Sequence, residues 1–436
     1  MIFWKVINKG IYVMKRIILS LFCLFLMLST GCQEVQQVTD QLTPSPAPTT
    51  DVTPAPSSTT TPDPTATPNP TPTAGPIQAT VAVAGDLLCL SAQISDADRG
   101  DHYSFDACFD MIKDKLSAAD LAIGNLETLV AEGHPLTQPN PKNDGAPVGD
   151  APADVPAADP AAAPSPTKRP SPRINAPEAY LTALQNSGFD VLTTANNHMF
   201  DYREDGLTKT LNKLDEFGFA HTGAYVEEAD KTPLIRDANG IQVAVLAYTD
   251  ILNHRLSSGS KYMIDVFSKD LVTSDIAAAK AAGADYVIVC VHWGVEHTHK
   301  PNHTQRTIAK NIAEAGADII FGSHPHCTQP FEVIETENGN VPVLYSLGNF
   351  ISSMSDTKHK DGVLVNLVLE KDPTTGQTSA VSLTYTPTLC VRSSAANYTV
   401  YPADAASISG SEKAQALAKS RKRTISVLTE NVATAE

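Results

Sequence analysis

Basic residues are scarce in this chain of 436 residues: 32 Lys and Arg stand against 48 Asp and Glu, a formal charge of −16. Four of the basic residues (Lys5, Lys9, Lys15 and Arg16) precede Gly31, where there is no acid, so loss of a leader deepens the charge to −20. That balance excludes broad electrostatic attachment to nucleic acid or to an anionic membrane face. Cysteine is also sparse, with seven residues and no CxxC spacing. Cys23 and Cys32 fall in the leader. Cys89, Cys108, Cys290, Cys327 and Cys390 remain, a scattered odd set that reads as buried free thiols rather than a disulfide framework or zinc-thiolate site. Apolar residues at 42% with only 6% aromatics permit a globular core but not a multispan membrane protein. Proline is thin outside two stretches: of 31, 11 lie in 34–76 and 12 in 133–177. Neither stretch can be packed core, which leaves roughly 300 residues, enough for one large domain or two small ones.

What is present begins with a targeting segment. Lys15-Arg16 precede an apolar run from Ile17 to Leu28, followed by Ser29-Thr30-Gly31-Cys32. A basic start and an apolar stretch of this length make a secretory leader. Small residues before a cysteine resemble a bacterial lipobox, which implies lipidation of Cys32 and a chain held on the outer face of the cell membrane. Ser29 stands where such boxes favour Leu, and Met14 would begin a more ordinary leader than Met1. Residues 33–76 are Thr/Pro-rich and carry no Lys or Arg. They cannot bury enough apolar surface to offset their ordering entropy and read as a disordered, extended tether.

From residue 77 to about 395 strands and helices alternate. Thr80–Ala84 reads as a buried strand, 105–117 as a helix capped by Ser104 with Phe105, Phe109, Ile112 and Leu116 on one face, and Asp120–Ile123 as a strand. A Pro/Ala-rich insertion covers 133–173. The fold resumes at Asn175-Ala176-Pro177-Glu178, a helix start with Asn175 as cap. One phrase then recurs: glycine, one residue, aspartate, apolar strand. It stands at Gly188/Asp190, Gly283/Asp285 and Gly316/Asp318. Glycine suits the left-handed position that ends a helix, so these are helix-to-strand joints of a layered α/β domain. Strands follow at 331–336, 341–346, 362–369 and 379–386. The tail, 396–436, has a weak helical stretch and receives no assignment.

Five strands end in polar clusters: Gly85-Asp86; Gly124-Asn125-Leu126-Glu127; Asn196-Asn197-His198 with Asp201; His292-Trp293-Gly294 with Glu296; and Gly322-Ser323-His324-Pro325-His326. Ligand groups in α/β sheets gather beyond the carboxyl ends of strands. Carboxylate, amide and imidazole suit Zn, Mn or Fe. His324 and His326, as alternate residues of an extended segment, would share a face. Gly85, Gly124 and Gly322 would let the backbone turn tightly beside a ligand. His297, His299 and His303 fall outside strand ends and read as exposed or rim residues.

With Gln329 and Tyr345-Ser346-Leu347-Gly348-Asn349-Phe350, these motifs resemble the CapA-type poly-γ-glutamate (capsule) synthesis proteins over about 79–390. That family is similar in fold to the calcineurin-like metallophosphoesterases, a four-layered α/β/β/α sandwich around a site for one or two divalent metal ions. The resemblance implies that Asp86 and His326 hold a first metal, that Asn197, His292 and His324 hold a second, and that Glu127 bridges them. His198, oriented by Asp201, would donate a proton to the leaving group. Asn125, Glu296 and Asn349 would meet substrate. Leu88 stands where the superfamily carries a histidine, and Glu127 where it carries Asp; the first site is therefore expected to be the weaker. The resemblance implies a surface metallophosphoesterase-like enzyme working on an anionic cell-surface polymer or its precursor. Two other readings stay open: a non-catalytic accessory protein that grips such a polymer for a membrane synthase complex, and a cell-wall amide hydrolase.

Overall fold

The structure is a computed structural model that describes residues 75–138, 172–392, 397–403 and 411–430. The leader, the tether and residues 139–171 of the expected insertion lie outside the described residues. The chain enters through β1 (Ile77–Leu87), α1 (Ser91–Ala97), a 3-10 turn (Asp106–Cys108), α2 (Lys113–Ser117) and β2 (Leu121–Leu126). It continues through α3 (Ala179–Ser187), β3 (Val191–Thr193), α4 (Arg203–Glu216) and β4 (Ala220–Thr222). The second half runs β5 (Leu234–Ala238), β6 (Ile241–Thr249), α5 (Lys269–Ala281), β7 (Tyr286–His292), α6 (His303–Ala315), β8 (Ile319–Ser323), β9 (Phe331–Thr336) and β10 (Gly339–Leu344). β11 (Asn349–Ile351), α7 (Thr357–Lys360), β12 (Asp361–Lys371), β13 (Thr378–Arg392), β14 (Tyr398–Pro402) and α8 (Ser411–Leu428) complete it.

The strands form two mixed sheets. One has the order β14-β13-β12-β1-β2-β3-β4, with β11 also pairing to β1; the other is β5-β6-β7-β8-β10-β9. Within them β1, β2, β3 and β4 run parallel, as do β6, β7, β8 and β10. Period-two alternation assigns the faces. Val81 and Val83 join Ile123, Val365, Val245, Ile288 and Phe321 in the layer between the sheets. Ala82 and Ala84 face the other way, against Phe105, Phe109, Ile112 and the helical leucines Leu184 and Leu207. Val287, Val289 and Val291 pack on Ile276, Ile308 and Ile312 of α5 and α6. Strands covered on both faces read as unbroken apolar runs. The result is the expected helix/sheet/sheet/helix sandwich, with both parallel halves ending at one edge.

The joints are as the sequence implies. Gly188 and Gly316 close their helices with φ of 96° and 101°, and Gly283 follows α5 at 96°. The aspartates have a further role. Asp190 Oδ2 accepts the N–H of Ala122 on the neighbouring strand, Asp285 that of Gln242 and Asp318 that of Val287, all at 2.7–2.8 Å. Each aspartate clamps the start of one parallel strand to the next.

Four local expectations are corrected. Residues 105–117 are a 3-10 turn, irregular turns and short α2 rather than one helix, although Phe105, Phe109, Ile112 and Leu116 are all buried. Ser104 makes no cap hydrogen bond there, and its hydroxyl points to Asp106 at 3.5 Å. Asn175 does not cap α3: Oδ1 accepts from Ala131 N, while Nδ2 donates to the carbonyls of Ala131, His134 and Pro135. It ties the two ends of the insertion together beside the Leu129–Asn175 bridge. Gly85 and Gly322 are not turn glycines; a Cβ on either would meet a backbone oxygen, of Gly348 and Tyr345 respectively, at 2.0 Å. They let the 345–348 segment pass against β1 and β8. Beyond 396, β14 extends the first sheet and α8 packs on β12 and β13. The five cysteines after the leader are free, four buried and Cys290 partly so.

Candidate metal centre

Strand register lines up the polar residues. In the first sheet Asp86 stands opposite Asn349 of β11 on one side and Asn125 of β2 on the other, and Asn125 stands opposite Thr193. In the second sheet His292 stands between Thr249 and Ser323. The two rows meet at the carboxyl edge, and Glu127, one residue beyond β2, lies between them. Glu127, His292 and His324 each offer a ligand atom within 4.8 Å of one another, and so do Asp86, Glu127 and His326. Glu127 belongs to both groups. The sandwich thus brings together Asp86, Glu127, His292, His324 and His326, with Asn197 Oδ1 3.0 Å from His292 Nε2.

Hydrogen bonds fix each donor. Ser323 Oγ contacts His292 Nδ1 at 2.9 Å, which turns Nε2 toward Asn197, toward His324 Nδ1 at 3.0 Å and toward Glu127 at 3.5 Å. Asn349 Oδ1 contacts His326 Nδ1 at 3.0 Å and its amide donates to His359 O. Asn125 donates to Asp86 Oδ1 at 2.8 Å. Both asparagines are buried, so their amides serve the interior of the site rather than a substrate at its mouth. Glu296 is on the exposed rim, 3.5 Å from His297. His299 binds Thr328 O and His303 is exposed at the start of α6, while His297 lies 6.0 Å from His326 and 4.6 Å from His359, ring to ring.

His324 and His326 converge for a different reason than strand alternation. β8 ends at Ser323, and both histidines sit in a turn with φ of 94° and 57°. A left-handed backbone is costly for a residue with a Cβ and persists where surroundings enforce it. Of five described non-glycine residues with positive φ, four (Arg203, His297, His324 and His326) belong to this region.

The charge within the cluster fits a cation. Glu127 is fully buried and neither oxygen has a hydrogen-bond partner among the described residues. Burial pushes its carboxyl well up, and Asp86 beside it adds to the rise. Burial alone would lower His326, but Glu127 and Asp86 hold it at about 10. Burial and then the neighbouring His324 and His326 push His292 well down. A buried carboxylate without partners is costly unless a positive charge compensates it, and oxygen and imidazole donors around it are a divalent metal's ligands.

A second constellation adjoins the first. His198 Nδ1 is 2.8 Å from Asp201 Oδ2, and both are buried. Asn196 anchors this turn, accepting from His198 N and donating to Leu126 O. Asn253 Oδ1 accepts from Asn197 at 3.4 Å, and His254 Nε2 lies 3.7 Å from Asp201. The sequence reading missed Asn253 and His254. They follow β6, whose carboxyl end meets the same edge, and the strand-end rule applied there would have found them. Leu88 packs with Leu90, Ile174 and Met354, an apolar wall beside the site. Trp293 is fully buried, donating to Tyr345 O.

The sequence profile of the bacterial capsule synthesis proteins matches residues 80–354. The chain is 35% identical to a capsule biosynthesis protein, CapA, of Bacillus anthracis over 210 residues, 46% of this chain and 49% of that protein. It is 36% identical to the PGA biosynthesis protein CapA of Bacillus subtilis (strain 168) over 200 residues, 44% of this chain and 50% of that protein. The match thus spans about half the length of these curated relatives. Among solved structures, the calcineurin-like phosphoesterase YfkN of Bacillus subtilis is similar at 15% identity and a TM-score of 0.42, covering 81% of this chain and 99% of that one.

Proposed function

This chain belongs to the family of bacterial capsule synthesis proteins, and we propose that it is a lipid-anchored, metal-dependent phosphoesterase-like hydrolase acting on an anionic surface polymer or its precursor at the outer face of the cell membrane. The observation that carries the reading is Glu127, a buried carboxylate with no hydrogen-bond partner among the described residues, shared by two groups of three donors. Asp86, Glu127 and His326 would hold one divalent ion, and Glu127, His292, His324 and Asn197 another. Such ions supply Lewis-acid polarisation of a phosphoryl oxygen and lower the pKa of water.

The chain's own residues do the rest. Asn125 and Asn349 orient Asp86 and His326, and Ser323 orients His292. With Nδ1 held by Asp201, His198 has Nε2 as the atom that exchanges a proton with a leaving oxygen. Leu88, Leu90 and Ile174 form a buried apolar cluster, and the Ile174 N–H holds Asp201 Oδ2 at 2.8 Å. The test is metal analysis of the purified chain with a screen of phosphodiester turnover. Bound metal with turnover lost on chelation is expected; metal-free, fully folded protein would refute the reading.

One observation favours a second reading, a non-catalytic accessory protein that uses the same donors to grip carboxylates for a membrane synthase. Leu88 is buried among apolar neighbours, leaving the Asp86 group with three donors. Bound metal without turnover of any ester or amide would select it.

A further inference from the structure

The C-terminal helix α8 reaches toward the metal centre through one buried carboxylate. Its inner face carries Leu417, Ser420, Thr424 and Leu428, spaced three and four residues apart and all buried. On that face Ser420 Oγ donates to Asp361 Oδ1 at 2.6 Å. Arg423 grips both oxygens of the same carboxylate, Nη2 to Oδ1 at 2.8 Å and Nε to Oδ2 at 2.7 Å. Asp361 is 2% exposed. A buried ion pair adds little stability over apolar side chains of equal size. What a two-pronged guanidinium contact does supply is a fixed geometry.

The residue so fixed is the first of β12. That strand runs antiparallel to β1, so it starts at the edge that carries Asp86. From there the contact is backbone on backbone. Val363 N–H donates to Leu347 O at 3.0 Å. A Cβ on Gly348, whose φ is 68°, would meet Asp361 O at 2.7 Å, and one on Gly362 would clash with Asn349 O. A displacement of Asp361 therefore reaches 347–349. Asn349 Nδ2 donates at 3.0 Å to the carbonyl of His359, two residues before Asp361, and its Oδ1 contacts His326 Nδ1 at 3.0 Å. Hydrogen bonds and backbone packing thus join α8 to His326 at every link.

We propose that Asp361, held by Ser420 and Arg423, is a positioning residue of the metal centre. It sets Asn349 and through it His326, so that the C-terminal helix governs the affinity of the Asp86, Glu127 and His326 group for a divalent ion. This deepens the proposed function and rests on it for the metal. The probe is Mn²⁺ titrated by calorimetry into the chelator-treated full chain. The variants are Asp361→Asn, the milder Ser420→Ala, Asn349→Ala and the double variant Asp361→Asn with Asn349→Ala. Asp285→Asn is the stability control, because it breaks an ion pair with Lys371 at the other end of β12.

Asn349→Ala should weaken the lower-affinity site at least tenfold, as loss of a ligand's own partner does. Asp361→Asn, one contact further out, should weaken it about fivefold and Ser420→Ala about threefold. The double variant should lose no more than Asn349→Ala, since one residue acts through the other. Asp285→Asn should leave the affinity unchanged whatever it does to the melting temperature. Losses that multiply in the double variant would overturn the proposal, as would an equal loss in Asp285→Asn. If Asp361→Asn does not fold, Ser420→Ala makes the same comparison. The nitrogen NMR spectrum of the imidazoles in the metal-free chain gives a reading that needs no ion. The His326 Nδ1 signal should shift in Asp361→Asn and Ser420→Ala and stay in place in Asp285→Asn. These shifts in a chain that binds no Mn²⁺ would uphold the positioning of His326 and sink the metal reading alone. Unshifted His326 signals with unaltered affinity would overturn the proposal.

Discussion

Glu127 is the residue on which the site's electrostatics turn, and it separates metal binding from fold stability. Replacing it by Gln removes a buried carboxylate that has no hydrogen-bond donor among the described residues but lies 3.8 Å from the His326 imidazole it holds up, so the two effects oppose each other and the metal-free protein should change little in stability. The melting temperature gain that added metal gives the wild type should vanish. Retention of that gain would show that Glu127 is not a ligand. His359 offers a test by pH. Its Nε2 is buried without a partner, and burial, then the imidazoles of His297 and His326, push it down to about 3. The folded value is below the unfolded value of about 6.5, so the neutral ring's contribution is full above that pH and is lost as pH falls toward about 3. At pH 5 the loss is about 2 kcal/mol. His359→Leu keeps the carbonyl that accepts from Asn349. In chelator it should flatten this acid limb in urea titrations, and an unchanged pH profile would refute the assignment. Leu88 makes the two groups of donors unequal, so calorimetric titration should find two metal affinities, the weaker at Asp86, Glu127 and His326. Two equal affinities would mean another residue supplies a ligand.

At the scale of the elements, the helix-to-strand joints were legible because glycine is needed where φ is positive and the aspartate sits at a fixed offset from it. The lateral clamp these aspartates make was not legible, since it depends on which strand lies alongside. Asp318→Ala should leave Val287 N–H without its partner and cost about 1–2 kcal/mol in denaturant titrations; a neutral result would show that water replaces the carboxylate. Strand ends revealed the donors because ligands gather at the carboxyl edge whatever the order of the strands. Asn253 and His254 escaped notice because β6 forms a hairpin with β5 that lacks a helix-to-strand joint before it. Ser104 and Asn175 misled for one reason: short polar side chains bond whatever backbone lies nearby, and tertiary contacts chose for them. Asn175 now carries a specific expectation. With four hydrogen bonds across the ends of the insertion, Asn175→Ala should cost about 2–4 kcal/mol. Replacing 139–171 by a short Gly/Ser link should shift the melting temperature little, since closure entropy grows slowly with length. The reverse ranking would place packing in the insertion itself.

For the whole molecule, charge and anchoring have to be reconciled. A chain at −16, or −20 without its leader, repels a polyanion at long range, so the proposed capture of an anionic polymer would have to act at short range through the proposed metal centre, within a Debye length of about 8 Å. Short-range capture works when the protein is already held where the polymer emerges. A two-chain lipid on Cys32 would do that, because each buried CH₂ contributes about 0.8 kcal/mol and one acyl chain alone binds only marginally. The Thr/Pro-rich stretch of 33–76 would then set the reach of the folded part from the surface. Mass spectrometry of the membrane fraction should find an N-terminal diacylglyceryl Cys32. Cys32→Ser should move the chain to the soluble fraction or leave it with an uncleaved leader, with no loss of metal binding by the folded part. A wild-type N-terminus produced by cleavage elsewhere would refute the anchor.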